Sequence, residues 1–73
     1  NEDPTTDIMF GHDQAVLALS VSGPGTTAKE LEQGLTENSL YDSYVYHAGI
    51  AHAIAERHMR ILPGGVLELL RTA

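Results

Sequence analysis

Cysteine is absent from this sequence of 73 residues. The chain can therefore form neither a disulfide nor a thiolate metal site to supplement its hydrophobic core. A domain of this length buries only about 60% of the surface that its unfolded chain exposes, which leaves a stability margin of a few kcal/mol. Oligomerisation is the remaining common means of stabilisation, so the length alone favours self-association.

Positive charge is scarce. The sequence has ten acidic residues and a formal net charge of −6, and its only lysine and arginine residues are Lys29, Arg57, Arg60 and Arg71. Because nonspecific affinity for nucleic acid comes from cations placed against phosphates, this balance disfavours DNA binding, although a single basic face would still allow it. If the chain does bind DNA, these four basic residues are the candidate contacts to it. The same balance argues against binding to an anionic membrane surface.

Long apolar stretches are missing as well, since Ser, His or Glu interrupts each of them within a few residues. No segment is therefore predicted to span a bilayer, and no secretory signal is visible, which favours a cytoplasmic location. The sequence starts at Asn1 rather than at methionine, from which we expect processing, trimming or a start that precedes the given residues.

Motifs for catalysis and metal binding are also lacking, and no serine stands in a nucleophile setting such as G-x-S-x-G. On one helix, His47 and His58 share a face but lie roughly 16 Å apart along the axis, and His52 points away from both. His52 and Glu56 have helical ligand spacing, but two ligands make a poor site without help from His12 or a partner chain. We predict no catalytic residue, no metal and no cofactor.

The N-terminal part of the chain divides into a leader and one ambiguous element. Residues 1–11 are expected to form a loose leader, because residues 1–7 are polar, acidic and broken by Pro4 and residues 8–11 are too few to assign to an element. Residues 12–73 are expected to form a single small domain. Residues 12–22 suit either a strand or a short helix entered through Asp13, and the helix is the favoured interpretation.

A capping box marks the next element. Thr27 stands three residues before Glu30, so its hydroxyl can accept from the Glu30 amide while the glutamate reaches back to the cap. This spacing predicts a short helix over 28–33, with Gly34 as the glycine that follows its end.

A long helical pattern runs from Leu40 to about Met59. Pro63-Gly64-Gly65 must then turn the chain, so 60–62 and 66–70 are predicted to pair as a β-hairpin. Continuation of the helix, followed by a last helix from residue 66, is the competing interpretation. The predicted fold is a mainly α domain with a C-terminal hairpin. The apolar stripe expected along the long helix consists of Leu40, Tyr44, Ala48, Ala51, Ala55 and Met59.

Small residues and tyrosines cluster in this long helix. Small residues four positions apart let another helix approach closely, and tyrosine is enriched at protein interfaces. This pattern fits two arrangements. The helix packs against the preceding helix of the same chain, or it forms a homodimer contact with the same helix of a second chain. The candidate interface residues are Tyr41, Tyr44, Tyr46, Gly49, Ala51, Ala53 and Ala55.

The order of these elements resembles that of a winged helix-turn-helix. The segment GPGTTAKELEQGL resembles the loop and second helix of that family, and RILPGGVLELL resembles its wing, so the resemblance covers about residues 13–70. It implies a DNA-binding regulator or a protein-interaction module. The third helix of DNA-binding members usually carries Arg, Lys, Asn or Gln towards base edges, whereas SLYDSYVYHAGIAHAIAERHMR has arginines only at its end.

These observations favour a small non-enzymatic interaction or regulatory domain that binds a protein partner or itself through the helix over 40–62. A DNA-binding winged-helix regulator is the first alternative. The further alternative is a processed fragment of a larger assembly whose Gly-Pro-Gly loop at 23–25 binds an anion at the helix start. The Walker pattern is not met there, because no glycine precedes Lys29.

Overall fold

The computed structural model of the chain describes residues 4–70. Three helices, α1 (Pro4–Ser22), α2 (Ala28–Glu37) and α3 (Ser43–Ala55), are followed by two antiparallel strands, β1 (Met59–Ile61) and β2 (Leu67–Leu69). The fold is therefore mainly helical with a C-terminal hairpin, as the sequence predicted. The helical interpretation of residues 12–22 is confirmed, and the helical alternative for residues 66–70 is wrong.

Helix α1 begins at Pro4, well before its predicted start. Proline suits the first helical turn because the amide N–H that it lacks would have no intrahelical partner there. The prediction of a loose leader does not hold for residues 4–11, because Gly11 packs against α3 and extends the buried surface of α1 towards its N-terminus. Asp13, the predicted N-cap, is an exposed residue within the helix. Residues 1–3 lie outside the described part of the chain.

The capping box predicted at the start of α2 is present. The backbone N–H of Glu30 donates to the Thr27 hydroxyl (3.2 Å), and the backbone N–H of Thr27 donates to the Glu30 carboxylate (3.0 Å). The helix then continues through Gly34 to Glu37 instead of ending at residue 33. Burial of Leu31 in the core stabilises the helix, and the low helix propensity of one glycine is too weak to end it.

Helix α3 is shorter than predicted and ends in a sharp turn. The backbone N–H of Arg57 donates to the carbonyl of Ile54 (3.1 Å) and that of His58 to the carbonyl of Ala53 (2.9 Å), the two bonds of a Schellman motif. Arg57 occupies the left-handed position of this motif, with φ of 63°. The prediction of a helix to Met59 is wrong because the glycine that usually marks such an end is missing from the sequence.

The two strands of the hairpin are joined by the turn that the sequence predicted. Met59 pairs with Leu69 at its open end, and a 3-10 turn at Pro63–Gly65 closes the other end. Gly64 and Gly65 have φ of 86° and 83°, values that glycine adopts without the steric cost of a Cβ. A sharp reversal is therefore possible directly after the proline.

The core lies between α1, α3 and the hairpin, with α2 closing one side. Tyr44, Ala51 and Ala55, which belong to the predicted apolar stripe of α3, are exposed. The helix is apolar nearly all round, so the spacing of apolar residues could not identify its buried face. That face consists of Val45, Tyr46, Gly49, Ile50 and Ala53. The core residues beyond α3 are Ala15, Leu19, Leu31, Met59 and Leu67.

Candidate functional site

The candidate interface residues divide between the interior and the surface. Tyr46, Gly49 and Ala53 are buried within the chain. Gly49 lies against the backbone of Gly11, so the close helix approach predicted for this run is made to α1 of the same chain. The hydroxyl of Tyr46 donates to the hydroxyl of Ser39 (2.6 Å). The residues left at the surface are Tyr41, Tyr44, Ala51 and Ala55.

Exposed aromatic side chains gather where α1 passes the start of α3. We define the aromatic patch as Phe10, Leu40, Tyr41 and Tyr44. The ring centroids of Phe10 and Tyr41 are 4.8 Å apart, and the two side chains are 36% and 46% exposed. Tyr44 is 58% exposed, and Leu40 is fully exposed. Aromatic residues are enriched in protein–protein interfaces, so the patch is a candidate contact surface.

The cationic residues are placed on separate elements. Lys29 lies in the first turn of α2, and Arg57 lies in the turn after α3. Arg60 stands opposite Glu68 in the hairpin, and its guanidinium donates to that carboxylate. Arg71 lies outside the described residues. Helix α3 itself carries neither lysine nor arginine, so the helix that the resemblance assigns to base reading lacks the usual groups.

The Gly-Pro-Gly loop leads into a helix start that is already occupied. The Glu30 carboxylate accepts from the backbone N–H of Thr27 and lies where an incoming anion would bind. An anion would therefore meet a carboxylate, which disfavours the anion-binding alternative. Behind the loop is a largely apolar cleft of about 320 Å³, lined mainly by Leu19, Pro24, Leu62, Val66, Leu67 and Leu69.

Three histidines meet at the junction of α1, the end of α3 and the start of β1. Nδ1 of His12 is 2.7 Å from Nδ1 of His52, and Nε2 of His12 is 2.8 Å from Nδ1 of His58. We call this group the histidine cluster. His12 is only 4% exposed, while the two outer rings are half-buried. Both ring nitrogens of His12 thus form hydrogen bonds with imidazoles.

Burial lowers the pKa of His12, and the nearby His52 and His58 lower it further, while Asp13 and Glu56 act in the opposite direction. Each nitrogen of His12 faces a different neighbour, so the three rings do not converge on one point. Within residues 4–70, no group of three His, Asp or Glu side chains has the arrangement of a metal site. The three rings are therefore joined in a chain of two hydrogen bonds with His12 in the middle.

On one continuous helix, His52 and His58 are predicted to point in different directions. The Schellman turn removes His58 from the helical spacing and directs the chain back towards α1. His47 instead faces Glu32 of α2, with Nδ1 3.0 Å from the carboxylate. A signal was present in the sequence: glycine directly precedes His12, and Gly49 lies three residues before His52. Close helix approach at these two glycines brings the following histidines together.

Comparison of the chain with protein-family models, curated proteins and solved structures gives no match. Between residues 4 and 70, no helix has the length and apolar character needed to cross a membrane. The assignment of a function therefore depends on the geometry described above.

Proposed function

We propose that this chain is a small, non-enzymatic protein-interaction domain that self-associates through its aromatic patch. The observation that carries the proposal is the pairing of the exposed rings of Phe10 and Tyr41 beside the start of α3, whose first turn carries the exposed Tyr44. Large rings lose little conformational entropy when they are buried, and they gain a large contact area.

A second copy of the chain is the partner that we assign to this patch. The chain has a net charge of −6, whereas the four patch residues are uncharged. Two like-charged copies meet with least repulsion where the contact contains few charges, and Asp42 is the one charged residue in the segment 40–44. The small core and the lack of disulfides add to the benefit of a shared interface.

The order of helices and hairpin supports the proposal that the domain is of the winged helix-turn-helix type. An isolated bridge between Thr27 and Val66 also ties the hairpin to the loop before α2. DNA binding is the alternative within that type. The solvent side of α3 argues against it, because this side presents Tyr44, His47 and Ala51 without a cation.

Light scattering coupled to size-exclusion chromatography tests self-association. We expect the wild type to dimerise with rising concentration and the double variant Tyr41→Ala/Tyr44→Ala to stay monomeric with unchanged helicity. Leu17→Ala is the matched control, because Leu17 is 60% exposed on α1 and lies outside the patch. A wild type that is monomeric at high concentration contradicts the proposal.

A gel-shift series at about 0.15 M salt tests the alternative. We expect no tight, sequence-selective complex with duplex DNA. Such a complex, weakened by Lys29→Ala and Arg57→Ala, would favour a DNA-binding regulator instead.

A further inference from the structure

The two hydrogen bonds of the histidine cluster limit the number of protons that its three rings can carry. A neutral imidazole has one N–H donor and one acceptor nitrogen, whereas an imidazolium has two donors and no acceptor. Neutral His12 can therefore donate to one neighbour while it accepts from the other. Both hydrogen bonds of the cluster, at 2.7 and 2.8 Å, are satisfied when all three rings are neutral.

One additional proton leaves both hydrogen bonds intact. If His12 takes it, both of its nitrogens donate, and Nδ1 of His52 and Nδ1 of His58 accept. Alternatively, the outer ring that already donates to His12 takes the proton on its own Nε2. In either state every short contact still joins one N–H and one lone pair.

A second additional proton breaks the cluster. Wherever it binds, an N–H of one ring then faces an N–H of its neighbour across a contact shorter than 3 Å. Two positive charges would also share a junction in which ring centroids are 4.9 Å apart around a buried ring. Repulsion and loss of a hydrogen bond both oppose this state.

Other charged groups near the cluster do not remove this limit. Asp13 on α1 and Glu56 at the end of α3 favour protonation, but both side chains are exposed. Arg57 in the Schellman turn is also exposed. On the hairpin, Arg60 and Glu68 pair with each other. An open groove gives solvent a route to His12 and His58, and its other lining residues are Met9, Asp13, Gln14, Val16, Leu17 and Ser20.

We propose that the histidine cluster is a pH-sensitive latch. With at most one added proton, its hydrogen bonds hold α1 against the end of α3 and the start of the hairpin. Uptake of a second proton breaks these contacts and separates the elements. Because Met59 directly follows His58 and is almost fully buried, release of the latch also loosens the attachment of the hairpin to the core.

The direction of the pH dependence follows from the proton count. In the unfolded chain each of the three histidines takes up a proton near its ordinary pKa of about 6.5. The unfolded state thus binds more protons than the folded state, so stability falls as pH drops below that value. With an excess of two protons, the unfolding constant rises at most roughly 100-fold per pH unit.

Urea unfolding of the full chain at about pH 7.5 and about pH 5.5, at fixed ionic strength, tests the latch. We expect the wild type to lose at least tenfold in its ratio of folded to unfolded protein. His52→Gln should show about half that pH dependence, because one excess proton remains instead of two. His47→Gln is the control outside the cluster; it removes the contact of His47 with Glu32 but should keep most of the fall in stability between the two pH values. The proposal is overturned if the stability of the wild type does not depend on pH, or if His47→Gln removes that dependence.

Histidine ring NMR of the wild type keeps the test decisive if the variants fail to fold. We expect the folded cluster to take up one proton and the second uptake to coincide with loss of the fold. Three rings that each titrate near pH 6.5 with the fold intact overturn the latch. A saturable rise in melting temperature with zinc, lost in His12→Gln, also overturns it, because the cluster would then be a metal centre.

Discussion

A Cβ atom built on Gly49 would lie 2.2 Å from the carbonyl carbon of Gly11, so α1 and α3 cross with backbone against backbone. Real Cβ contacts are essentially never shorter than 3.0 Å. The crossing therefore depends on glycine in both helices. It also brings His12, the neighbour of Gly11, close to His52, which is one helical turn after Gly49.

Gly49→Ala is expected to destabilise the fold by about 1–3 kcal/mol, because the added methyl group forces the two helices apart. The control is Gly34→Ala in α2, where an added Cβ meets no atom within 4 Å. That change should stabilise the fold by about 0.5–1 kcal/mol through the higher helix propensity of alanine. Urea unfolding near neutral pH measures both, and equal effects would contradict the crossing. Gly49→Leu should unfold the chain at every concentration rather than yield a folded monomer.

Met59 and Ile61 lie on the same strand but in opposite environments, with exposed fractions of 1% and 51%. Met59→Ala should lower the free energy of unfolding by about 2–5 kcal/mol, because it leaves a cavity among core residues. Ile61→Ala should change it by less than about 1 kcal/mol. Chemical denaturation of both variants checks the placement of the hairpin. Both side chains lie on the same face of the strand, because they are two positions apart. If Ile61→Ala proves the more damaging, Ile61 rather than Met59 is the residue of this strand that is packed in the core.

Arg57 is the non-glycine residue with positive φ in the part of the chain that the structure describes. Arg57→Gly should stabilise the fold by up to about 1 kcal/mol, since glycine adopts the left-handed position of the Schellman motif without steric cost. Arg57→Ala retains a Cβ and removes the same charge, so it is the control and should give no such gain. Thermal melts of the two variants separate the backbone effect from the charge effect. An equal gain in both would assign the effect to charge.

Features that depend on neighbouring residues could be predicted from the sequence. The capping box needs only Thr27 and Glu30, which are three positions apart, and it forms as expected. The hairpin turn needs only proline followed by two glycines that accept positive φ. Both are local because their hydrogen bonds and backbone angles involve residues within one turn of each other.

Features that depend on distant residues needed the tertiary structure. Composition suggested a leader before residue 12, yet Gly11 is buried because α3 lies against it. Helical spacing separated the histidines, yet His12 contacts His52 and His58 across 40 and 46 positions of sequence. The capped helix α2 and the turn of the hairpin thus followed from local residue preferences, whereas those preferences left both helix and strand open for residues 12–22 and 66–70. The buried face of α3 and the histidine cluster were decided by how closely two glycines let the helices approach, and by a left-handed residue that no local pattern marked.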